Sequence, residues 1–152
     1  MNPSIHAGYL EDLYVPSKLK RHVNLAAKRL KKIKFDTIAV TGNSGTIFGG
    51  ALSIAMKKPL MLVRKDSDDT HSMCRVEGPR KIGRFVFVDD VVASGVTLRR
   101  VVKRLTKPEE AMLEPGTLEG VYLWRKLPTY AALPNKSGYY TPEDPDMSAF
   151  IR

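Results

Sequence analysis

One cysteine, Cys74, and three histidines are all the soft metal ligands this chain contains, so an internal disulfide is impossible and a zinc cluster is not supported. No apolar run approaches the ~20 residues of a membrane span. Residues 1–6, Met-Asn-Pro-Ser-Ile-His, lack the basic-then-apolar order of a secretion signal, and the expectation is a soluble, cytoplasmic protein. Neither a Gly-x-Gly-x-x-Gly fingerprint nor a Walker A loop is present. The chain also lacks internal repeats and low-complexity tracts. With 11 glycines, 10 prolines and 43% apolar residues in 152, it can bury a core as one domain and is not disordered. Acidic residues are in deficit, 16 against 25 basic, leaving a net charge of +9. Such a balance suits nucleic acid or a phosphate-rich small substrate drawn in by the field. Much of the excess lies on two predicted helices, one with Lys18, Lys20, Arg21, Lys28, Arg29, Lys31 and Lys32, the other with Arg99, Arg100, Lys103 and Arg104.

Residues 1–16 read as irregular, with Pro3 and Pro16 as breakers. From Ser17, a candidate N-cap, Leu19, Val23, Ala26, Leu30 and Ile33 recur at three- and four-residue steps, which predicts an amphipathic helix. Buried strands are predicted at 35–40, 59–64, 84–88 and 118–124. Helices are predicted at 46–57 and from about 98 to 105. The polar stretch 66–83 is long enough to be a functional loop or a hairpin. After the fourth strand come four prolines and scattered tyrosines, an expected irregular tail or small subdomain. Apolar strands alternating with helices predict a parallel α/β sheet.

The most specific segment is 85–97, Phe-Val-Phe-Val-Asp-Asp-Val-Val-Ala-Ser-Gly-Val-Thr. A buried strand ends in two carboxylates, Asp89 and Asp90, and a turn of small and hydroxyl residues leads into a helix. Ligands of open parallel sheets bind at the carboxyl ends of strands, and helix starts bind phosphate. The carboxylates could hold sugar hydroxyls or a hydrated Mg²⁺. The turn Thr41-Gly42-Asn43-Ser44-Gly45 joins another strand to a helix and can face an anion. Gly49 and Gly50 behind it are expected to allow close helix–strand packing. The third strand-end feature is the basic pair Arg64-Lys65 after Pro-Leu-Met-Leu-Val. Arg offers a planar fork to phosphate, and Lys a point charge.

These three segments, in this order, resemble the type I phosphoribosyltransferases, over about residues 35–124. The resemblance implies that family's fold, with a mobile lid over the sheet edge, a small hood and a homodimer. It places the ribose hydroxyls and Mg²⁺ of phosphoribosyl pyrophosphate (PRPP) at Asp89 and Asp90. The 5′-phosphate falls at Ala93, Ser94, Gly95, Val96 and Thr97, and the pyrophosphate at 41–45 with Arg64 and Lys65. The stretch 66–83 corresponds to the lid, with Val76-Glu77-Gly78 and Gly83 as its return and His71, Arg75, Arg80 and Lys81 as candidates to reach pyrophosphate. The chain is expected to be one domain with its core at about 17–126, the hood being built from the two ends. Ala93 stands where 6-oxopurine enzymes carry an Asp, so an adenine-type purine acceptor is expected first. Lys126 could donate to an oxo group, and an orotate-type or other acceptor stays open. Trp124 is the aromatic candidate for the base pocket, while Tyr122 suits the core. The alternative is a PRPP-sensing regulator of the same fold that binds nucleic acid through the basic helices.

Overall fold

A computed structural model describes residues 10–66, 73–92, 94–125, 138–145 and 147–148. Its elements run α1 (Glu11–Tyr14), α2 (Pro16–Leu30), β1 (Thr37–Val40), α3 (Gly42–Met56), β2 (Leu60–Val63), β3 (Val76–Glu77), β4 (Arg84–Asp89), α4 (Val96–Thr106), β5 (Thr117–Leu123) and β6 (Tyr139–Tyr140). The strands form one sheet in the order β3-β2-β1-β4-β5-β6. The inner four are parallel, as predicted, whereas β3 and β6 add antiparallel edges. No described helix is long and apolar enough to cross a membrane.

Side chains alternate across the sheet, and this alternation builds two cores. Ile38, Val40, Val86, Val88, Tyr122 and Trp124 pack with Val23, Ala26 and Leu30 of α2 and Phe48 and Leu52 of α3. Ala39, Phe85, Phe87, Val121 and Leu123 pack on the other face with Leu98, Val101, Val102 and Leu105 of α4. The two basic helices therefore cover opposite faces of the sheet.

Local departures from the sequence expectation have simple causes. Pro16, expected as a breaker, is the first residue of α2 and Val15 its N-cap, because proline's fixed φ suits the first helical position. Residues 42–45, expected as a turn, are the first turn of α3. Leu10 and Leu13 are buried against α2 and α3, which explains the short helix α1 within a stretch expected to be irregular. Gly49 permits the contact between α3 and β1. A methyl group there would overlap Val40 Cγ1 and lie 3.2 Å from Leu60 Cδ1, whereas one at Gly50 would meet nothing within 4 Å. The packing role expected of both glycines belongs to Gly49 alone.

Candidate active site

Strand β4 is buried from Phe85 onward and delivers Asp89 to the carboxyl edge of the sheet, 8% exposed. Burial and the adjoining negative charge of Asp90 hold the Asp89 carboxyl well above the usual carboxylate range, with a smaller opposing pull from Lys65. Asp89 Oδ1 accepts the Asp90 N–H at 2.9 Å, and Asp90 Oδ1 accepts the Val91 N–H at 2.9 Å. These bonds turn the chain sharply and set both carboxylates at one strand end.

Beside them, β1 runs straight into α3. Thr41, the N-cap, does not cap the helix with its side chain; its hydroxyl donates instead to Val63 O at 2.6 Å and ties the ends of β1 and β2 together. The first N–H groups of α3 are thus left for an anion. Gly42 adopts φ +68°, a left-handed conformation that favours glycine, and Lys65 lies against it, its Cε and Nζ 3.6 and 3.8 Å from the position of a Cβ. Lys65 is therefore held over the start of α3.

The third piece is the turn into α4. Gly95 is its N-cap at φ +78°, a left-handed conformation that favours glycine. The Ser94 carbonyl accepts from Arg99 Nη2 at 3.1 Å, and the Val96 N–H points to Ser94 Oγ at 3.5 Å.

These pieces meet in one cleft of about 540 Å³, lined by Thr41 to Ser44, Lys65, Asp89 to Val92, Ser94, Gly95, Thr97, Leu98 and Arg125. Along the sheet edge its order is a cation on β2, an anion cradle on β1, two carboxylates and a second cradle on β4, and a cation after β5. Sequence reasoning missed Arg125, although it named both neighbours. At the end of β5, Tyr122 and Trp124 pack toward α2 and α3 while Val121 and Leu123 pack toward α4, and Arg125, one step past Trp124, lines the cleft.

Several residues expected at the site are not brought to this cleft. Arg64 is on the hairpin stem, its Nε and Nη2 donating to Glu77 Oε1 at 2.8 and 2.7 Å. Trp124 is core: its indole stacks on Phe48 at 5.2 Å between ring centres and meets His22 edge-on at 5.4 Å. Only its backbone touches the site, the N–H donating to Asp89 O at 3.2 Å. Gly45 is buried against Val40 and Val88, and Val96 is exposed outside the cleft. Arg75, Arg80 and Lys81 are exposed and lie along the connection after α4. There Arg75 N–H donates to Glu110 Oε1 at 3.1 Å, Arg80 Nε to Met112 O at 3.4 Å, and Lys81 pairs with Glu114 as a β-bridge. His71, Ala93 and Lys126 lie outside the described residues, as does much of the expected hood.

No protein-family model matches the chain. It is 33% identical to orotate phosphoribosyltransferase of Methanosarcina mazei over 89 residues, 58% of this chain and 48% of that relative. It is 28% identical to adenine phosphoribosyltransferase of Thermosipho africanus over 103 residues, 58% of this chain and 61% of that one. The chain thus spans about half the length of the orotate relative. Among solved structures, UMP synthase of Leishmania donovani superposes with TM-score 0.62 and 22% identity, over 81% of this chain and 27% of that one. Adenine phosphoribosyltransferase of Thermoanaerobacter pseudethanolicus superposes with TM-score 0.59 and 23% identity, over 74% and 70%. With its parallel core and its strand-end cleft, the chain has the fold of the type I phosphoribosyltransferases.

Proposed function

We propose that this chain transfers the 5-phosphoribosyl group of PRPP to a ring nitrogen of a nucleobase and releases pyrophosphate, with Mg²⁺ as cofactor. One observation carries the reading. Asp89 and Asp90 sit between two helix-start cradles, with a cation at each end of the row. PRPP asks for that set: two phosphate groups on either side of a diol.

The second cradle, built by Ser94, Gly95 and Thr97, takes the 5′-phosphate. The first, Thr41 to Ser44, takes the pyrophosphate with Lys65 above it. Asp89 and Asp90 accept hydrogen bonds from the ribose hydroxyls between them. As the C1–O bond to pyrophosphate breaks, positive charge grows on the ribose ring and negative charge on the leaving group. Lys65 and the α3 N–H groups are positioned where the negative charge develops, and the carboxylates near the positive charge. Among the described residues no three His, Cys, Asp or Glu side chains cluster as a metal cage, and those that line the cleft offer a cation the two carboxylates of Asp89 and Asp90. That donor set suits Mg²⁺, which keeps waters and completes its shell with substrate oxygens. Bound there, Mg²⁺ would help offset the charge of the pyrophosphate.

The cleft also bears on the acceptor. Arg125 brings only hydrogen-bond donors to the β5 end. They can pair with the exocyclic oxygens of an oxopurine or of orotate and also with the ring nitrogens of adenine; because only the oxo bases offer an exocyclic acceptor, we place an oxo-bearing acceptor beside the adenine-type one as the reading to test first. The regulator reading gains no support from the fold, since its basic helices lie on opposite faces of the sheet.

The test is pyrophosphate release from PRPP and Mg²⁺ with adenine, guanine, hypoxanthine, xanthine, orotate and uracil supplied separately. Release with one oxo-bearing base, lost in the Asp89→Asn, Asp90→Asn double variant, is the expected result. Undiminished turnover in that variant would overturn the assignment, and release with adenine alone would overturn the acceptor.

A further inference from the structure

Helix α4 does more than present a phosphate cradle. From its last turn Arg104 reaches across to the end of β2, where its Nη1 donates to Arg64 O at 3.3 Å and its Nη2 is paired with the Asp66 carboxylate. The Arg104 side chain is only 20% exposed although it carries a full charge. The two groups it holds flank Lys65, the residue that reaches into the cleft. The returning limb of the same hairpin is gripped from the connection after α4. There Glu110 Oε1 accepts the N–H groups of Arg75 and Val76 at 3.1 and 3.2 Å. Between the limbs, Arg64 pairs with Glu77 and its N–H donates to Arg75 O at 2.8 Å. One limb of the hairpin stem is therefore bound to the helix that begins at the opposite phosphate cradle, and the other to the connection that follows that helix.

We propose that Arg104 is a positioning residue for Lys65: through Asp66 and the Arg64 carbonyl it fixes the pyrophosphate-side cation relative to the helix of the 5′-phosphate cradle. Arg104 itself does not line the cleft, so it acts only through the backbone it holds. A guanidinium is required because two acceptors, one a carbonyl and one a carboxylate, must be reached by two nitrogens in a fixed fork. A lysine would bring a single nitrogen in place of the fork. Arg64 and Glu77 then stiffen the stem rather than touch substrate. This inference rests on the proposed PRPP site, and it makes a distinction within that site. Of the two phosphate positions Lys65 is set against the pyrophosphate one, so loss of Arg104 should harm ligands with a pyrophosphate and spare those without one.

The experiment is calorimetric titration of the full chain with PRPP and, separately, with ribose 5-phosphate, both with Mg²⁺. For Arg104→Met, PRPP affinity should fall roughly tenfold, the scale on which a displaced positioning group is felt, while ribose 5-phosphate affinity stays unchanged. Arg104→Lys should recover part of the loss. In a Lys65→Met background Arg104→Met should add nothing, because the group it positions is gone. Equal weakening of both ligands would mean that Arg104 merely supports the fold, and unchanged PRPP affinity would mean that Lys65 needs no positioning; either overturns the proposal. If the unaltered chain binds neither ligand, the PRPP site itself fails, and this proposal with it.

Discussion

Asp89 shows how a residue can cost stability for the sake of a site. Its carboxyl is raised because burial strips water from it and Asp90 adds a like charge. At pH values between the unfolded and the raised folded value, the folded chain therefore holds a proton that the unfolded chain releases. The stability from this protonation is present below the unfolded value near 4 and is lost as pH rises through the raised folded value. Asn at position 89 would keep an oxygen for the Asp90 N–H and abolish the penalty. We expect Asp89→Asn to raise the unfolding free energy at pH 7 by on the order of 1 kcal/mol, while PRPP binding is lost. Urea denaturation at pH 5 and pH 8 checks this, since the gain should be larger at pH 8. A variant less stable than the parent at pH 8 would show that the carboxylate is stabilised by its surroundings. The Asp89-Asp90 pair was legible from sequence because its chemistry and its strand-end position coincide in one short segment. Trp124 and Arg125 were not, because one step along a strand reverses the face, and 118–124 is apolar throughout except for Glu119.

At the level of elements, the sequence was most legible where an element is long and its own side chains determine it. The four parallel strands and the helices α2, α3 and α4 were all foreseen, with ends displaced by a few residues. The edges were harder. Strand β3, Val76–Glu77, falls where the return of the hairpin was expected, but β6, also two residues, exists because β5 offers a free backbone edge, a cause that lies outside its own sequence. Helix α3 was expected to start at 46, because two glycines, an asparagine and a serine at 42–45 read as a turn. Those small residues are what lets an anion approach the helix start. The paired glycines further along α3 give a contrast that tests the element directly. Gly49→Ala forces the helix away from Val40 and Leu60 and should cost about 1–3 kcal/mol, the usual range for overpacking. Gly50→Ala meets open space and should add about 0.5–1 kcal/mol through helix propensity alone. Thermal denaturation of the two variants should shift in opposite directions; a shift in the same direction would mean that the α3–β1 contact is looser than described.

Over the whole molecule, the excess positive charge must be assigned a use, and the topology decides between two. Helix α2 carries five basic residues, Lys18, Lys20, Arg21, Lys28 and Arg29, and α4 carries four, Arg99, Arg100, Lys103 and Arg104, and neither helix has an acid. Because the sheet separates them, a straight duplex can touch only one helix at a time. Lys18 is already engaged by Glu11 and Asp12 at 3.7 and 3.3 Å. Binding to a short DNA duplex should then follow log affinity against log salt with a slope no steeper than about −4 to −5, and fade by about 200 mM salt. Steering of an anionic substrate needs no such shared face, since the field of both helices sums at the cleft. Replacing the exposed Lys20, Lys28 and Lys31 with Gln should therefore slow PRPP association several-fold at 10 mM salt, where screening reaches about 30 Å, and leave it unaltered at 1 M, where it reaches about 3 Å. Stopped-flow association at the two salt concentrations reads this out. A slope much steeper than the charge of one helix, with PRPP association indifferent to the three substitutions, would instead mean that the chain wraps nucleic acid around both faces, and the net charge would then belong to a partner and not to the cleft.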